Sequence, residues 1–255
     1  MFTERTTRVV AARQLIKRSG REKAGRFLAE GPQAVREALT YGTVHEVFAT
    51  PVAAARYPDL AAGASVITEK AGAGLSETVT AQGIYAVCGL VDVPLEQAIA
   101  GSPRLVAVLA GIADPGNAGT VLRVADAAGA DAVIFAGDTV DPHNGKCVRA
   151  STGSIFHLPV TRSRDIGAAL TACRAAGLTL VGADGNAPAV LDSANLTAPI
   201  AWVFGNEAHG LAPEVRAGLD QTVRVPIYGR AESLNLATAA ALCLYASAVG
   251  LRRLE

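Results

Sequence analysis

Six short runs in the second half of the chain, Leu105–Ala110, Asp131–Phe135, Ile155–Val160, Leu178–Ala183, Ile200–Phe204 and Thr222–Val225, are rich in Val, Ile, Leu and Ala and show no polar alternation. A strand with one wet face alternates polar and apolar residues, because successive side chains point to opposite faces. These runs therefore predict strands buried on both faces. Helices must supply the cover, so the expected class is α/β with a largely parallel sheet. Such a sheet takes its ligand beyond the carboxyl ends of its strands, which directs the search for function to the loops that follow them.

Residues 1–95 read as a smaller α/β domain. A basic helix over Glu4–Arg18 is followed by a strand at Arg26–Glu30, a helix from Pro32, a strand at Val44–Thr50, a helical segment near Val52–Tyr57, and strands at Ser65–Thr68 and Ile84–Leu90. Two prolines, a glycine and a serine within Asp92–Pro103 mark the join, predicting a linker at 96–102 and a second domain over 103–255.

The 23 Lys plus Arg balance the 23 Asp plus Glu. As an average, zero net charge argues against a nucleic-acid partner or a polybasic membrane binder. The average conceals a basic head. Residues 1–26 hold Arg5, Arg8, Arg13, Lys17, Arg18, Arg21, Lys23 and Arg26 against Glu4 and Glu22, an excess of six positive charges that the rest of the chain offsets. That head fits either RNA phosphates or a solvated helix face.

Cys88, Cys147, Cys173 and Cys243 lie far apart without a CxxC pair, so no metal site is expected and a reduced, cytoplasmic protein is the simplest reading. No secretory signal is expected from Met1–Gly20, which is charged throughout. Ser233–Leu251 is uncharged, but it is Ala-rich and begins Ser-Leu-Asn, which predicts a helix buried in protein rather than a membrane span.

Three strand-following loops concentrate the polar residues. The first runs Gly111 to Thr120 into a helix bearing Arg123. Asn117 either caps that helix or, with Gly119 and Arg123, presents its N-terminus to an anion. The second is Gly205-Asn206-Glu207-Ala208-His209-Gly210-Leu211, where Gly205 suits a close backbone approach to a ligand and Glu207 suits orienting a polar group. His209 alone declares no catalytic triad. In the third, Pro226–Asn235, Ser233 is a natural N-cap, whereas Asn235 in an apolar first turn has no evident structural role. No loop carries GxGxxG, which disfavours a dinucleotide site of the Rossmann type.

Taken together, Asp114–Val133, Val203–Leu211 (VFGNEAHGL) and Val225–Tyr245 (VPIYGRAESLNLATAAALCLY) resemble, in order, the three signature motifs of the SpoU (TrmH-type) RNA ribose 2′-O-methyltransferases of the SPOUT superfamily. The resemblance covers residues 103–255 closely. Less sharply, Arg26–Leu39 is similar to the ribosomal-protein-like substrate-binding domain that often precedes such a catalytic domain.

The resemblance implies a deep trefoil knot at the C-terminal side of the parallel sheet, a fold that general topology rules would not suggest. It also implies a homodimer packed through the knot helices, S-adenosylmethionine as cofactor, and an RNA substrate, with ribosomal RNA favoured over transfer RNA. Matched position by position, it assigns catalysis to Arg123 with Asn117, Glu207, Ser233 and Asn235. Cofactor binding goes to Gly205, Val225, Ile227 and Leu234. Arg5, Arg8, Arg13, Lys17, Arg18 and Arg21, with Arg149 and Ser151, are the expected RNA contacts. A noncatalytic RNA-binding or ribosome-assembly factor on the same fold is the competing expectation.

Overall fold

The computed structural model describes residues 1–252; the last three residues of the expected second domain, 253–255, lie outside the described part. Two compact units emerge, Met1–Val91 with Asp141–His157, and Asp92–Val140 with Leu158 onward. Where the sequence suggested an unbroken second domain, residues 141–157 belong with the first unit.

The first unit begins with helices α1 (Thr7–Gln14) and α2 (Arg18–Ala24) in place of the single basic helix expected. A Cβ at Gly20 would lie 2.0 Å from the Gln14 carbonyl oxygen, so only glycine lets the chain fold back so tightly. Strands β1 (Arg26–Glu30), β2 (Val44–Ala49), β3 (Ser65–Val66) and β4 (Ile84–Gly89) follow, with helices α3 (Pro32–Tyr41), α4 (Pro51–Arg56) and α5 (Glu69–Ala73) between them. They form a sheet of order β1-β4-β2-β3, with β4 antiparallel to both of its neighbours. Leu15, Leu28, Phe48, Ile67 and Tyr85 are buried in its core.

The returning segment contributes the helix Gly145–Ser151 (α8) and a buried ion pair. Asp141 Oδ2 accepts from Arg21 Nε at 2.8 Å and lies 2.7 Å from its Nη2, and both side chains are at most 4% exposed. The Nη1 of Arg21 also donates to the carbonyls of Leu15 and Ile16. His143 Nε2 accepts the Val91 N–H at 3.2 Å, which leaves Nδ1 to donate to Asp141 Oδ1 at 3.3 Å. Burial pushes the Asp141 carboxyl up. The hydrogen bonds from His143 and the Arg21 charge outweigh that and hold it well below the usual carboxylate range.

The second unit is a seven-stranded sheet in which every strand pairs in parallel, as the apolar runs predicted. Its strands are β5 (Leu105–Ala110), β6 (Ala132–Ala136), β7 (Val160–Ser163), β8 (Thr179–Ala183), β9 (Ala189–Val190), β10 (Ile200–Phe204) and β11 (Gln221–Arg224). The order is β7-β6-β5-β10-β8-β11-β9, so the chain leaving β10 passes over β8 to reach β11. The third run shifts relative to expectation. Residues 154–156 form a 3-10 turn and β7 starts only at Val160, after Pro159, which has no N–H to give the ladder.

Helices α6 (Leu95–Ala98), α7 (Pro115–Ala128), α9 (Ile166–Ala175), α10 (Pro213–Ala217) and α11 (Leu236–Arg252) complete the unit. β5, β6 and β10 are buried along their whole lengths. Trp202 on β10 is fully buried, and its indole N–H reaches Ser247 Oγ on α11 at 2.8 Å. Among the described residues no helix is long and apolar enough to cross a membrane.

Candidate functional site

Asp114 opens α7. Its Oδ1 accepts the Asn117 N–H at 2.9 Å, and Pro115 occupies the first helical position, where no N–H is needed. With Asp114 as the cap, the Asn117 side chain is available elsewhere. Its Nδ2 donates to Glu207 Oε1 at 3.1 Å, and its Oδ1 accepts from Asn235 Nδ2 at 3.0 Å. Glu207 takes two further donors, the backbone N–H groups of Ala113 and Asp114, each at 3.0 Å. One hydrogen-bonded network thus joins all three loops.

Desolvation raises the Glu207 carboxyl, but the Ala113 N–H, the Asn117 amide and the Asp114 N–H prevail and hold it below the usual carboxylate range. Glu207 is therefore an anionic brace for the start of α7. Asn235, expected to be without a structural role, is the N-cap of α11. Its Oδ1 accepts from Ala237 N and Thr238 N at 2.9 and 3.3 Å. Ser233 does not cap the helix, which starts three residues later at Leu236; it lies exposed in the preceding loop.

The second loop closes on itself. Asn206 and Gly210 exchange backbone hydrogen bonds at 2.9 and 2.8 Å, while Asn206 Nδ2 donates to the Gly111 carbonyl at 2.9 Å. A Cβ at Gly205 would come within 2.4–2.5 Å of the Gly210–Leu211 backbone. Glycine is required there by the loop's own return. Sequence reasoning passed over Asp114 and Asn206; each is an Asx residue two or three positions before the N–H it captures, the local signal by which both were findable.

Beyond the ends of β8, β10 and β11 lies a cleft of about 460 Å³, within the usual range of roughly 300–1,000 Å³ for small-molecule sites. Gly205, Val225, Ile227 and Leu234, the expected cofactor residues, all line it, as do Glu207 and Ser233. Asp184 in its lining is paired with Arg216, and the remaining carboxylates, Glu207 and Glu232, outnumber the single guanidinium of Arg224, which suits a cationic ligand. Arg123, two turns into α7, is exposed, does not line this cleft, and has no ion pair or side-chain hydrogen bond among the described residues.

The expected RNA contacts in the first unit divide. Arg5, Arg13 and Lys17 are exposed. Arg8 pairs with Glu46 and lies over the Phe2 ring, and Arg18 pairs with Glu22 at 2.9 Å. Arg21 is corrected: its guanidinium is consumed by Asp141 and two carbonyls inside the fold. Ser151 is corrected likewise, being fully buried with its hydroxyl on the Val148 carbonyl at 2.8 Å. Arg149 is half-buried and donates to Glu30 Oε2 at 2.9 Å.

Comparison with known proteins bears on this site. The profile of the SpoU rRNA Methylase family matches residues 104–245, and that of the MRM3-like substrate binding domain matches residues 6–86. The chain is 36% identical over 237 residues to a 23S rRNA (guanosine(2553)-2'-O)-methyltransferase of Bacillus subtilis, covering 91% of this chain and 92% of that protein. Among solved structures it is similar to the SpoU methyltransferase AviRb of Streptomyces viridochromogenes in complex with S-adenosylmethionine, with a TM-score of 0.82, 30% identity, and coverage of 98% and 99% of the two chains. An S-adenosylmethionine-bound rRNA methyltransferase from Sinorhizobium meliloti is similar with a TM-score of 0.83 and 28% identity, over 95% of this chain and 94% of that one.

Proposed function

The chain belongs to the SpoU rRNA methylase family, and from that membership we propose that it is an RNA 2′-O-methyltransferase, using S-adenosylmethionine to methylate a ribose 2′-hydroxyl of ribosomal RNA. The observation that carries this reading is the Asn117–Glu207–Asn235 network at the edge of a cleft that favours a cation. S-adenosylmethionine supplies a methyl group activated by a sulfonium.

The chain's own part is to bind, orient and stabilise. Val225, Ile227 and Leu234 offer apolar contact in the cleft, and Gly205 holds the loop that bounds it. Asn117, Glu207 and Asn235 fix the start of α7 against that loop, and Ser233 adds a hydroxyl. Arg123 grips RNA phosphate and stabilises negative charge developing on the 2′-oxygen. It does so as a cation, because a neutral guanidinium at pH 7 costs about 8–9 kcal/mol.

Arg5, Arg8, Arg13, Lys17 and Arg18, with Arg149, serve RNA binding, supported by the charge excess of the basic head. Residues 1–95, joined by the returning segment 141–157, form the substrate domain, 96–102 the linker and the rest of 103–255 the catalytic domain. Leu242, Tyr245 and Val249, exposed at helical spacing on α11, support a homodimer packed through that helix. The knot is assigned to the loops Gly205–Leu211 and Val225–Asn235, which share one cleft. Work on ribosomal RNA agrees with a cytoplasmic location.

The test uses purified protein, methyl-labelled S-adenosylmethionine and ribosomal RNA from a strain lacking the gene. The expected outcome is label on a ribose 2′-oxygen, mapped by mass spectrometry to a position unmodified in that strain. Cofactor binding without transfer would favour the noncatalytic alternative.

A further inference from the structure

The first unit holds a cavity of its own, about 240 Å³, bounded by the start of α3, residues 78–82 and the C-terminal end of α8. It falls below the roughly 300–1,000 Å³ of sites for drug-sized ligands, on the scale of a single flat ring system. An ion pair lines it. Arg149 Nη1 donates to Glu30 Oε2 at 2.9 Å, Ser76 donates to Glu30 Oε1, and Thr78 Oγ1 lies 3.3 Å from the same oxygen. The Glu30 side chain is only 7% exposed, so these partners hold both ionic groups in place. A carboxylate has about four acceptor sites and a guanidinium five N–H donors, so each keeps capacity for a ligand.

The rest of the wall mixes donors and acceptors in the same way. Gly31, at φ +94°, caps α3 without a side chain. The N–H groups of Gln33 and Ala34 in the first turn therefore have no partner among the described residues. Thr80 and Gln82 line the cavity and make no side-chain hydrogen bond among the described residues. Val79, between two lining threonines, is fully exposed and offers an apolar surface at the rim.

This chemistry selects among the parts of an RNA. A phosphate only accepts hydrogen bonds, and the Glu30 carboxylate repels it and offsets the charge of Arg149. A nucleobase is uncharged and flat, and carries donors and acceptors on one edge. Unpaired bases are read by proteins through that edge and by stacking on guanidinium planes. Guanine presents a carbonyl acceptor beside two adjacent donors, which complements a wall of N–H groups facing a carboxylate and an amide oxygen.

We propose that this cavity takes one unpaired guanine base of the RNA, on a nucleotide other than the one methylated. Glu30 and Gln82 accept from its N–H groups, while Arg149 and the first turn of α3 donate to its carbonyl. The proposal rests on the reading that the chain acts on RNA. It gives the substrate unit a means of telling one RNA from another, which the basic head lacks because phosphates carry no sequence.

The test uses the full-length protein, Gln82→Ala, which removes an acceptor, and Thr80→Trp, which fills the cavity. Filter binding of ribosomal RNA from a strain lacking the gene is expected to weaken about tenfold or more in both variants. S-adenosylmethionine affinity and melting temperature should stay at wild-type values. The logarithmic salt slope of RNA binding should not change, because no phosphate contact is lost; a slope shallower by about 0.7–0.9 would assign a phosphate to the cavity and overturn the proposal. Inosine lacks the guanine amino group. Replacing guanosines with inosine one position at a time is expected to weaken wild-type binding at one unpaired position other than the methylated one, and to have no effect there in Gln82→Ala. RNA affinity within threefold of wild type in both variants, or an inosine effect that persists in both, would overturn the proposal. The cofactor is left out of these binding measurements, so a wild type that binds RNA without transferring a methyl group ends the methyltransferase reading and leaves the pocket standing. A wild type that transfers while both variants bind normally ends the pocket alone.

Discussion

Asn117 uses both ends of its amide, one on Glu207 and the other on Asn235, so a single truncation releases Asn235 from α7 and takes one of three donors from Glu207. Asn117→Ala is expected to lower kcat at least tenfold and to reduce stability by about 1–2 kcal/mol, read by transfer assays and urea denaturation. Arg123→Ala should behave differently. It is exposed and has no ion pair or side-chain hydrogen bond among the described residues, so stability and cofactor affinity should stay near wild type, while transfer falls by about 100-fold or more. Retained turnover in that variant would remove Arg123 from the chemistry. These polar identities were legible in the sequence because each stands in a loop after an apolar strand. Their division of labour was not. Asp114 rather than Asn117 caps α7, and Asn235 rather than Ser233 caps α11, because a cap is decided by backbone angles that residue type alone leaves open.

The helix α11 unites two demands. Its first turn must be capped by Asn235, and Asn235→Ala should cost about 1 kcal/mol and loosen the site at the same time. Its outer face leaves Leu242, Tyr245 and Val249 at 44–49% exposure, with no described neighbour to cover them. Tyr245→Glu is therefore expected to convert a dimer to a monomer in analytical ultracentrifugation, whereas a dimer unchanged in that variant would place the interface elsewhere. Among the strands, β5, β6, β8, β10 and β11 lie within two residues of their sequence predictions, since an apolar run without alternation has few other ways to fold. The basic N-terminal helix was less legible. Nothing in its periodicity shows that it stops at Gln14 and that a second helix starts at Arg18, with Gly20 folded back against the Gln14 carbonyl.

At the scale of the whole molecule, the balance of charge separates into parts with different duties. Arg21 cannot be told from its seven basic neighbours by counting, because Asp141 stands 120 positions away in the chain. Arg21→Ala takes the guanidinium away from a buried carboxylate and should destabilise the protein by about 3–5 kcal/mol. Arg13→Glu with Lys17→Glu should leave the melting temperature nearly unchanged, weaken RNA binding and flatten its salt dependence. The Asp141 carboxyl is depressed in the folded state, so its contribution is complete above the unfolded pKa of about 3.9 and is lost only as pH falls toward the lower folded value. Acid unfolding of Asp141→Asn should accordingly begin from a lower starting stability and show a shallower fall below pH 4.

The return of residues 141–157 to the first unit gives that pair a consequence for modular exchange. A graft or recombination event that cuts at 96–102 carries away Arg21 without Asp141 and His143, and with no helix Gly145–Ser151 against β1. A fragment ending at Val91 is expected to show little cooperative melting by circular dichroism, because its interior holds a cation whose counterion is encoded elsewhere in the gene. The first unit can be inherited, swapped or engineered only together with a piece of the second unit's reading frame.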